Sequence, residues 1–141
     1  MFMNLLRKTW GIVTAVIISS CHSATFDTIS PDGTLKVGVV TTKDGDYGKA
    51  AFVVHYKGDS ILFRSELGLE TDAQKFAGNL RLKSVSEPKS VIDDYRMITG
   101  KRSHCVNEAS ERVYSLENDE GQTLEVTFRV YNDGIAFKYG L

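Results

Sequence analysis

An alternation of apolar and polar residues with a period of two runs through the chain after residue 30. Between the alternating stretches stand the turn signals PDG, KDGDYG, KGD, NDEG and YNDG, which supply the Gly and Asp that tight turns require. The stretches are LKVGVV (35–40), AAFVVHYKG (50–58), SILFRSELGLE (60–70), LRLKSVS (80–86) and LEVTFRVY (124–131). Strand-length segments of this kind, rich in β-branched and aromatic residues, predict an all-β fold, an antiparallel β-sandwich of about eight strands.

Two local elements are predicted within this pattern. The best helical candidate, TDAQKFAG (71–78), is long enough for one turn between strands. Near the end of the chain, YNDG predicts a tight turn at residues 132–134. We expect one arm of this hairpin to carry Val126, Phe128 and Val130, and the other arm to carry Ile135, Phe137 and Tyr139.

Composition narrows the function classes. The 141 residues, of which 42% are hydrophobic and 25% charged, suit one domain with one core. The formal net charge of −1 provides no basic surplus for nucleic acid. A nucleic-acid partner is therefore not expected.

The N-terminal residues differ from the rest of the chain. Arg7 and Lys8 precede the apolar stretch WGIVTAVII (10–18), and small residues lead to Cys21. This order predicts a signal peptide at residues 1–20 and a short linker at 21–29. IISSC resembles a bacterial lipobox, which implies lipid attachment at Cys21 and a lipid-anchored protein exported to the periplasm or cell envelope. Ordinary cleavage after Ser23 or Ala24 is the alternative, and it would release a soluble protein.

The second cysteine, Cys105, has three interpretations. It is a small half-buried hydrophobe, the partner of a disulfide with Cys21, or a reactive thiol.

The sequence offers no convincing catalytic group, cofactor site or metal site. A glycosidase needs two facing carboxylates, and the acidic candidates are interpreted as solvated surface residues: Glu66, Glu70, Asp93, Asp94, Glu108 and Glu111. The three histidines, His22, His55 and His104, show no spacing that would clamp a metal ion.

The segment 93–118 is more polar than a plain strand. One interpretation is an edge hairpin blunted by charged residues. The other is an interface with a further domain, with Tyr95, Arg102, Asn107 and Glu108 as its candidate residues.

Four ordered blocks carry a family resemblance. They are SPDGTLKVGVVTTKDGDYGKAAFVVHYKGDSIL, SELGLET, YRMITGKRSHCVNEASERVYSLEN and LEVTFRVYNDGIAFKYGL. Together they resemble the N-terminal domain of glycoside hydrolase family 97 over residues 30–141. The resemblance implies a sandwich similar to that of galactose mutarotase and to carbohydrate-binding folds. It further implies an exported bacterial α-glucosidase or α-galactosidase, with a (β/α)₈ catalytic barrel and a calcium ion in the intact enzyme.

The resemblance also shapes the functional expectation. Residues 30–141 correspond to part of the family's sandwich, so we expect an incomplete sandwich, a truncated enzyme and no catalysis by this chain alone. The expected partners are the missing barrel, carbohydrate through the intact enzyme, and a membrane through the lipid anchor. The alternative is a stand-alone exported module that binds carbohydrate or another surface.

Overall fold

The computed structural model describes residues 28–44, 47–100 and 103–141, and these residues form one antiparallel sheet of nine strands. The strands are β1 Thr28–Ile29, β2 Leu35–Asp44, β3 Tyr47–Tyr56, β4 Asp59–Leu67, β5 Leu80–Val85, β6 Lys89–Arg96, β7 His104–Asn118, β8 Thr123–Tyr131 and β9 Ile135–Gly140. No helix occurs in this part of the chain, and so none that is long and apolar enough to cross a membrane.

The strand order is β1-β2-β3-β5-β7-β8-β9, with β4 paired to β3 and β6 paired to β7. Strand β7 organises the second half of the sheet. Strand β8 pairs along one of its edges, while β5 and β6 pair with successive parts of the strand, at Tyr114–Asn118 and at residues 104–111.

The sheet curls so that its first strands contact its later ones. Strand β1 contacts β7 and β8, and β2 contacts β8. At the closure, the hydroxyl groups of Thr28 and Tyr114 form a buried hydrogen bond of 2.8 Å. The core fills the space between the two halves of the sheet. Its members are Leu35, Val37, Val39, Ala50, Phe52, Val54, Leu67, Phe76, Leu80, Tyr114, Leu116, Leu124, Val126, Phe128 and Val130. The predicted all-β antiparallel sandwich is confirmed.

Aromatic rings occupy the centre of this core. The ring of Phe128 lies 5.4 Å from that of Phe52, 5.5 Å from that of Phe137 and 5.8 Å, edge to face, from that of Tyr114. Rings at these separations gain specific contacts beyond the burial of their area. Strands that are far apart in the chain are thereby joined around one side chain.

The predicted hairpin at the end of the chain is confirmed. The Tyr131 N–H donates to the Gly134 carbonyl oxygen at 2.8 Å, closing the turn. The strand register pairs Phe128 with Phe137, Val126 with Tyr139 and Val130 with Ile135. Period-two patterning and turn chemistry were sufficient here because both arms are close in sequence.

The predicted helical turn at residues 71–78 is wrong. Glu70 and Lys75 form an isolated antiparallel bridge, and the Phe76 N–H donates to the Leu69 carbonyl oxygen at 2.7 Å. A helix would direct that N–H to the residue four positions earlier. The hairpin-like loop instead inserts Phe76 fully into the core, and burial of this ring outweighs the weak local helix preference.

Arg81, Lys83 and Glu117 form an ionic cluster at the surface of β5 and β7, and acidification tests its contribution to stability. Arg81 donates hydrogen bonds of 2.6 and 3.0 Å to Glu117, and Lys83 donates one of 3.3 Å. The Arg81 hydrogen bonds are the main reason why the pKa of Glu117 lies below its ordinary value of 4.5; burial opposes this shift and Lys83 supports it. Because the folded-state pKa is lowered, the stabilisation is present above the ordinary pKa and is lost as the pH falls through the folded value.

We therefore expect the Glu117→Gln variant to lose less stability on acidification than the wild type. The measurement compares urea unfolding midpoints between about pH 6 and about pH 3. Identical changes in midpoint for both proteins would contradict a role of this cluster in acid sensitivity.

Candidate functional site

The hairpin of β6 and β7 extends past the rest of the sheet. Pairing between β7 and β8 ends at Ala109 and Tyr131. Residues 104–108 of β7 continue beyond this point, paired with β6 from Arg96 at one end to Ile92 at the other. Both faces of this extension are available for contacts.

One face of the extension continues the core side of β7 and is uncovered. Toward the C-terminus of β7 this side carries Tyr114 and Leu116, both fully buried. On the extension it carries Ile92, 66% exposed, and Val106, 56% exposed. Because alternate residues share a face, the exposed pair lies in line with the core. Polar side chains, those of Glu108, Ser110 and Arg112, lie on the same side between this exposed pair and the buried core.

Polar pairs flank the two apolar side chains. The Ser90 hydroxyl donates to a Glu108 carboxylate oxygen at 3.3 Å, and His104 Nε2 lies 2.7 Å from Asp94 Oδ1. We call this surface, formed by Ser90, Ile92, Asp94, His104, Val106 and Glu108, the hairpin face. An apolar centre inside a polar rim is the usual organisation of a protein interface.

The opposite side of the same strands carries an ionic network. Arg129 Nε donates to Glu111 Oε2 at 2.6 Å, Arg129 Nη1 donates to Asp93 Oδ1 at 3.0 Å, and the Tyr131 hydroxyl donates to Asp93 Oδ2 at 2.6 Å. The hydrogen bond to Glu111 is the main cause of a raised pKa of Arg129, and the bond to Asp93 is the main cause of a raised pKa of Tyr131. The network ties β6 and β8 together across β7.

Two depressions border this network, and Tyr131 contributes to the walls of both. One, of about 250 Å³, is lined by Thr127, Arg129, Tyr131, Ala136, Phe137 and Lys138. The other, of about 260 Å³, is lined by Val106, Asn107, Glu108, Tyr131, Asn132 and Asp133. In the first depression, Ala136 lies opposite Arg129 in the register, and its small side chain leaves room beside the longer neighbours.

The residues expected at a domain interface lie on different sides of the β6–β7 hairpin. Glu108 lies on the hairpin face, and it also lines the second depression together with Asn107. Tyr95 pairs with Cys105 near the end of the extension and is exposed. Because side chains alternate along a strand, Tyr95 and Asn107 occupy the side opposite to Glu108. Arg102 lies outside the described residues.

The remaining sequence candidates are placed as follows. Cys21, the predicted lipid attachment site, lies outside the described residues, so the disulfide alternative stays untested there. Cys105 is half-buried and forms no disulfide with any of the described residues. Several of the acidic candidates are paired with cations: Glu66 with Lys49, Glu70 with Lys75, and Asp93 and Glu111 with Arg129. Within residues 28–44, 47–100 and 103–141, no three acidic, histidine or cysteine side chains converge on a metal position.

Sequence reasoning missed Tyr131, Asn132 and Asp133 as site residues. The YNDG motif was interpreted only as a turn. The structure places this turn beside residues 106–108 of β7, where it lines the second depression. The available signal was the pair of polar side chains at Asn132 and Asp133. A backbone hydrogen bond between Tyr131 and Gly134 closes the turn, so these side chains are free for other contacts.

Comparison with known proteins places this architecture in a family. Residues 29–141 match the family model described as Glycosyl-hydrolase 97 N-terminal. The chain is 24% identical over 150 residues to a probable retaining alpha-galactosidase of Streptomyces bingchenggensis (strain BCW-1), and the match covers all of this chain and 24% of that protein.

Solved structures show the same relationship. The chain is similar to a beta-arabinopyranosidase with a TM-score of 0.71 and 32% identity, over 79% of this chain and 17% of that one. It shares a fold, with a TM-score of 0.67 and 21% identity, with a glycoside hydrolase family 97 enzyme from Pseudoalteromonas sp. strain K8 solved with panose and with acarbose; coverage is again 79% and 17%. This chain therefore spans only a minor part of the length of these relatives, and with the family match over residues 29–141 it belongs to the glycosyl-hydrolase 97 N-terminal family.

Proposed function

We propose that this chain is the non-catalytic N-terminal β-sandwich portion of a family 97 glycoside hydrolase, and that it supports a catalytic domain acting on α-glucosides or α-galactosides. The hairpin face carries the proposal. Its apolar centre, Ile92 and Val106, lies on the core side of β7 and lacks a covering layer in the described part of the chain.

The energetics favour a partner on this face. Fully burying a side chain such as Ile92 or Val106 stabilises a complex by about 1.5–3 kcal/mol. The surrounding Ser90–Glu108 and Asp94–His104 pairs each contain an internal hydrogen bond, which lowers the cost of desolvating them on docking. The face is thus suited to a permanent contact within one protein.

The lengths of the relatives support a catalytic domain as the partner. The family match is to an N-terminal domain, and the curated relative and the solved structures are several times longer than this chain. We therefore assign the hairpin face to a contact with the catalytic domain of the same enzyme, which the family resemblance implies is a (β/α)₈ barrel.

The geometry of the acids supports a non-catalytic role. Glycoside hydrolysis needs two carboxylates on opposite sides of a glycosidic bond, with room for the substrate between them. The half-buried pair on this sheet, Asp93 and Glu111, has the Arg129 guanidinium between its members, hydrogen-bonded to both. The position that a sugar would occupy is filled.

The test separates the two domains. The chain and the catalytic region encoded with it in the source DNA are expressed as two polypeptides, mixed, and assayed on nitrophenyl α-glucoside and α-galactoside. We expect the chain alone to be inactive, and the mixture to be more active than the catalytic region alone. The Ile92→Asp variant should lose this gain, while the control Ile61→Asp, at an exposed position of β4, should keep it.

Two results would overturn the proposal. One is hydrolysis by the chain alone. The other is the absence of any catalytic region from the source gene, which would favour a stand-alone exported module.

We further propose that the protein is exported and lipid-anchored through Cys21, because the lipobox-like IISSC follows a positively charged and then apolar segment. Expression in a bacterium with a clickable fatty acid should label the wild type and the Cys105→Ala variant. The Cys21→Ala variant should remain unlabelled, and labelling that survives this substitution would disprove the anchor.

A further inference from the structure

The two depressions around Tyr131 form a surface that the proposed domain contact covers only in part, at Val106 and Glu108. They lie on either side of one tyrosine, and each has room for a small polar molecule. Each depression, of about 250 and 260 Å³, is smaller than the about 300–1,000 Å³ typical of sites for drug-sized ligands, and so suits one small unit of a ligand. The described geometry therefore provides two adjacent positions rather than one.

The chemistry of the walls suits hydroxyl groups. Asn107 and Asn132 each provide an amide that both donates and accepts hydrogen bonds, Glu108 and Asp133 provide acceptors, and Thr127 provides a hydroxyl. The hydroxyl groups of a pyranose ring both donate and accept hydrogen bonds, so they can bond to these amides and carboxylates. The Tyr131 ring adds an apolar surface against which the C–H side of a sugar packs.

The surface is held in place before any ligand binds. The Tyr131 hydroxyl donates a hydrogen bond to Asp93, and Asp93 also accepts one from Arg129. The Asn132 side-chain oxygen accepts the Asp32 backbone N–H at 3.0 Å, and this bond fixes the turn. Preorganised groups lose little conformational entropy on binding, which favours affinity.

The balance of charge favours a neutral ligand. Lys138 and Arg129 line the first depression, whereas Glu108 and Asp133 line the second. Arg129 already has two carboxylate partners. An extended anion would be repelled at one end of the surface and an extended cation at the other.

We infer that the surface around Tyr131 is a binding site for a neutral oligosaccharide, with one sugar unit in each depression and Tyr131 between them. Side chains of this chain alone form the site. It borders the hairpin face, with which it shares Val106 and Glu108. The saccharide and the docked domain are therefore neighbours.

Titration of the ¹⁵N-labelled chain with maltotriose tests this inference by nuclear magnetic resonance. We expect maltotriose to shift the side-chain amide signals of Asn107 and Asn132 and the backbone amides of Tyr131 and Lys138. Glucose 6-phosphate and calcium chloride serve as separate probes for an anion site and a cation site. Maltotriose binding should persist in the presence of EDTA.

Substitutions locate the contact. Tyr131→Ala should weaken maltotriose binding by at least about tenfold, and Asp133→Ala, at an exposed turn position, should weaken it by about threefold. The Asp133 variant keeps the test decisive if Tyr131→Ala does not fold. Tyr56→Ala is the matched control, because Tyr56 is 40% exposed at the β3–β4 turn, and it should bind like the wild type.

Different experiments test the saccharide site and the domain contact. Absence of maltotriose-induced shifts, shifts caused only by glucose 6-phosphate or calcium, or equal binding by Asp133→Ala and the wild type would each overturn the saccharide site. None of these results bears on whether Ile92→Asp abolishes the gain in activity from the catalytic region. Conversely, saccharide binding should survive Ile92→Asp.

Discussion

The Phe128→Ala variant is expected to lose about 3–5 kcal/mol of unfolding free energy, the usual cost of deleting a buried phenylalanine. Phe128 is fully buried, and its ring contacts Phe52, Tyr114 and Phe137 from three other strands. Because small domains are stable by only about 5–15 kcal/mol, the variant should be partly unfolded at physiological temperature. Urea unfolding followed by tyrosine fluorescence and circular dichroism measures the change.

A second phenylalanine provides the control. Phe63 lies on β4 and is 82% exposed, so Phe63→Ala should change the unfolding free energy by less than about 0.5 kcal/mol. A similar loss in both variants would mean that the aromatic cluster around Phe128 does not organise the core.

The Gly68→Ala variant is expected to lose about 1–3 kcal/mol, because there is no room for a methyl group. A Cβ atom built on Gly68 would lie 2.9 Å from the Phe76 carbonyl oxygen and 3.2 Å from the Ala77 Cα. Both are backbone atoms, so relief requires the loop that carries the buried Phe76 to move. The Gly68 N–H also donates to the Tyr139 hydroxyl at 3.2 Å, and movement would strain this bond.

Gly78 is the matched control for this substitution. A Cβ atom at Gly78 would meet nothing within 4 Å. Gly78→Ala should therefore be neutral or stabilise the fold by up to about 1 kcal/mol through the unfolded chain. Thermal unfolding of both variants compares the two positions, and equal melting temperatures would show that the loop adapts without cost.

The parts of the fold that the sequence predicted are local. The strands β2, β3, β4, β5 and β8 and the turn at residues 132–134 were predicted from neighbouring residues, and the structure confirms them. The use of a single strand, β7, by both β5 and β6 has no local signal. The loop around Phe76 was predicted as a helical turn for the same reason, since the pocket that receives Phe76 is built by distant strands.

The candidate site was predictable only in part. Polarity of residues 93–118 identified the hairpin, and Asn107 and Glu108 proved to line a depression. The polarity of this segment did not reveal that Arg129 donates hydrogen bonds to both Asp93 and Glu111, because Asp93 and Arg129 are 36 residues apart. Their proximity depends on β8 pairing with the middle of β7, which the sequence pattern alone does not specify.

The hydroxyl contact between Thr28 and Tyr114 has a consequence for folding kinetics. It joins residues 86 positions apart, whereas the β2–β3, β6–β7 and β8–β9 pairs form within short hairpins. Chains with many sequence-distant contacts fold slowly, because the entropy of loop closure is lost before the stabilising contacts form. We expect the hairpins, including the local β1–β2 pair, to form early and the contacts of β1 and β2 with β7 and β8 to form last, so that their formation marks the completion of folding.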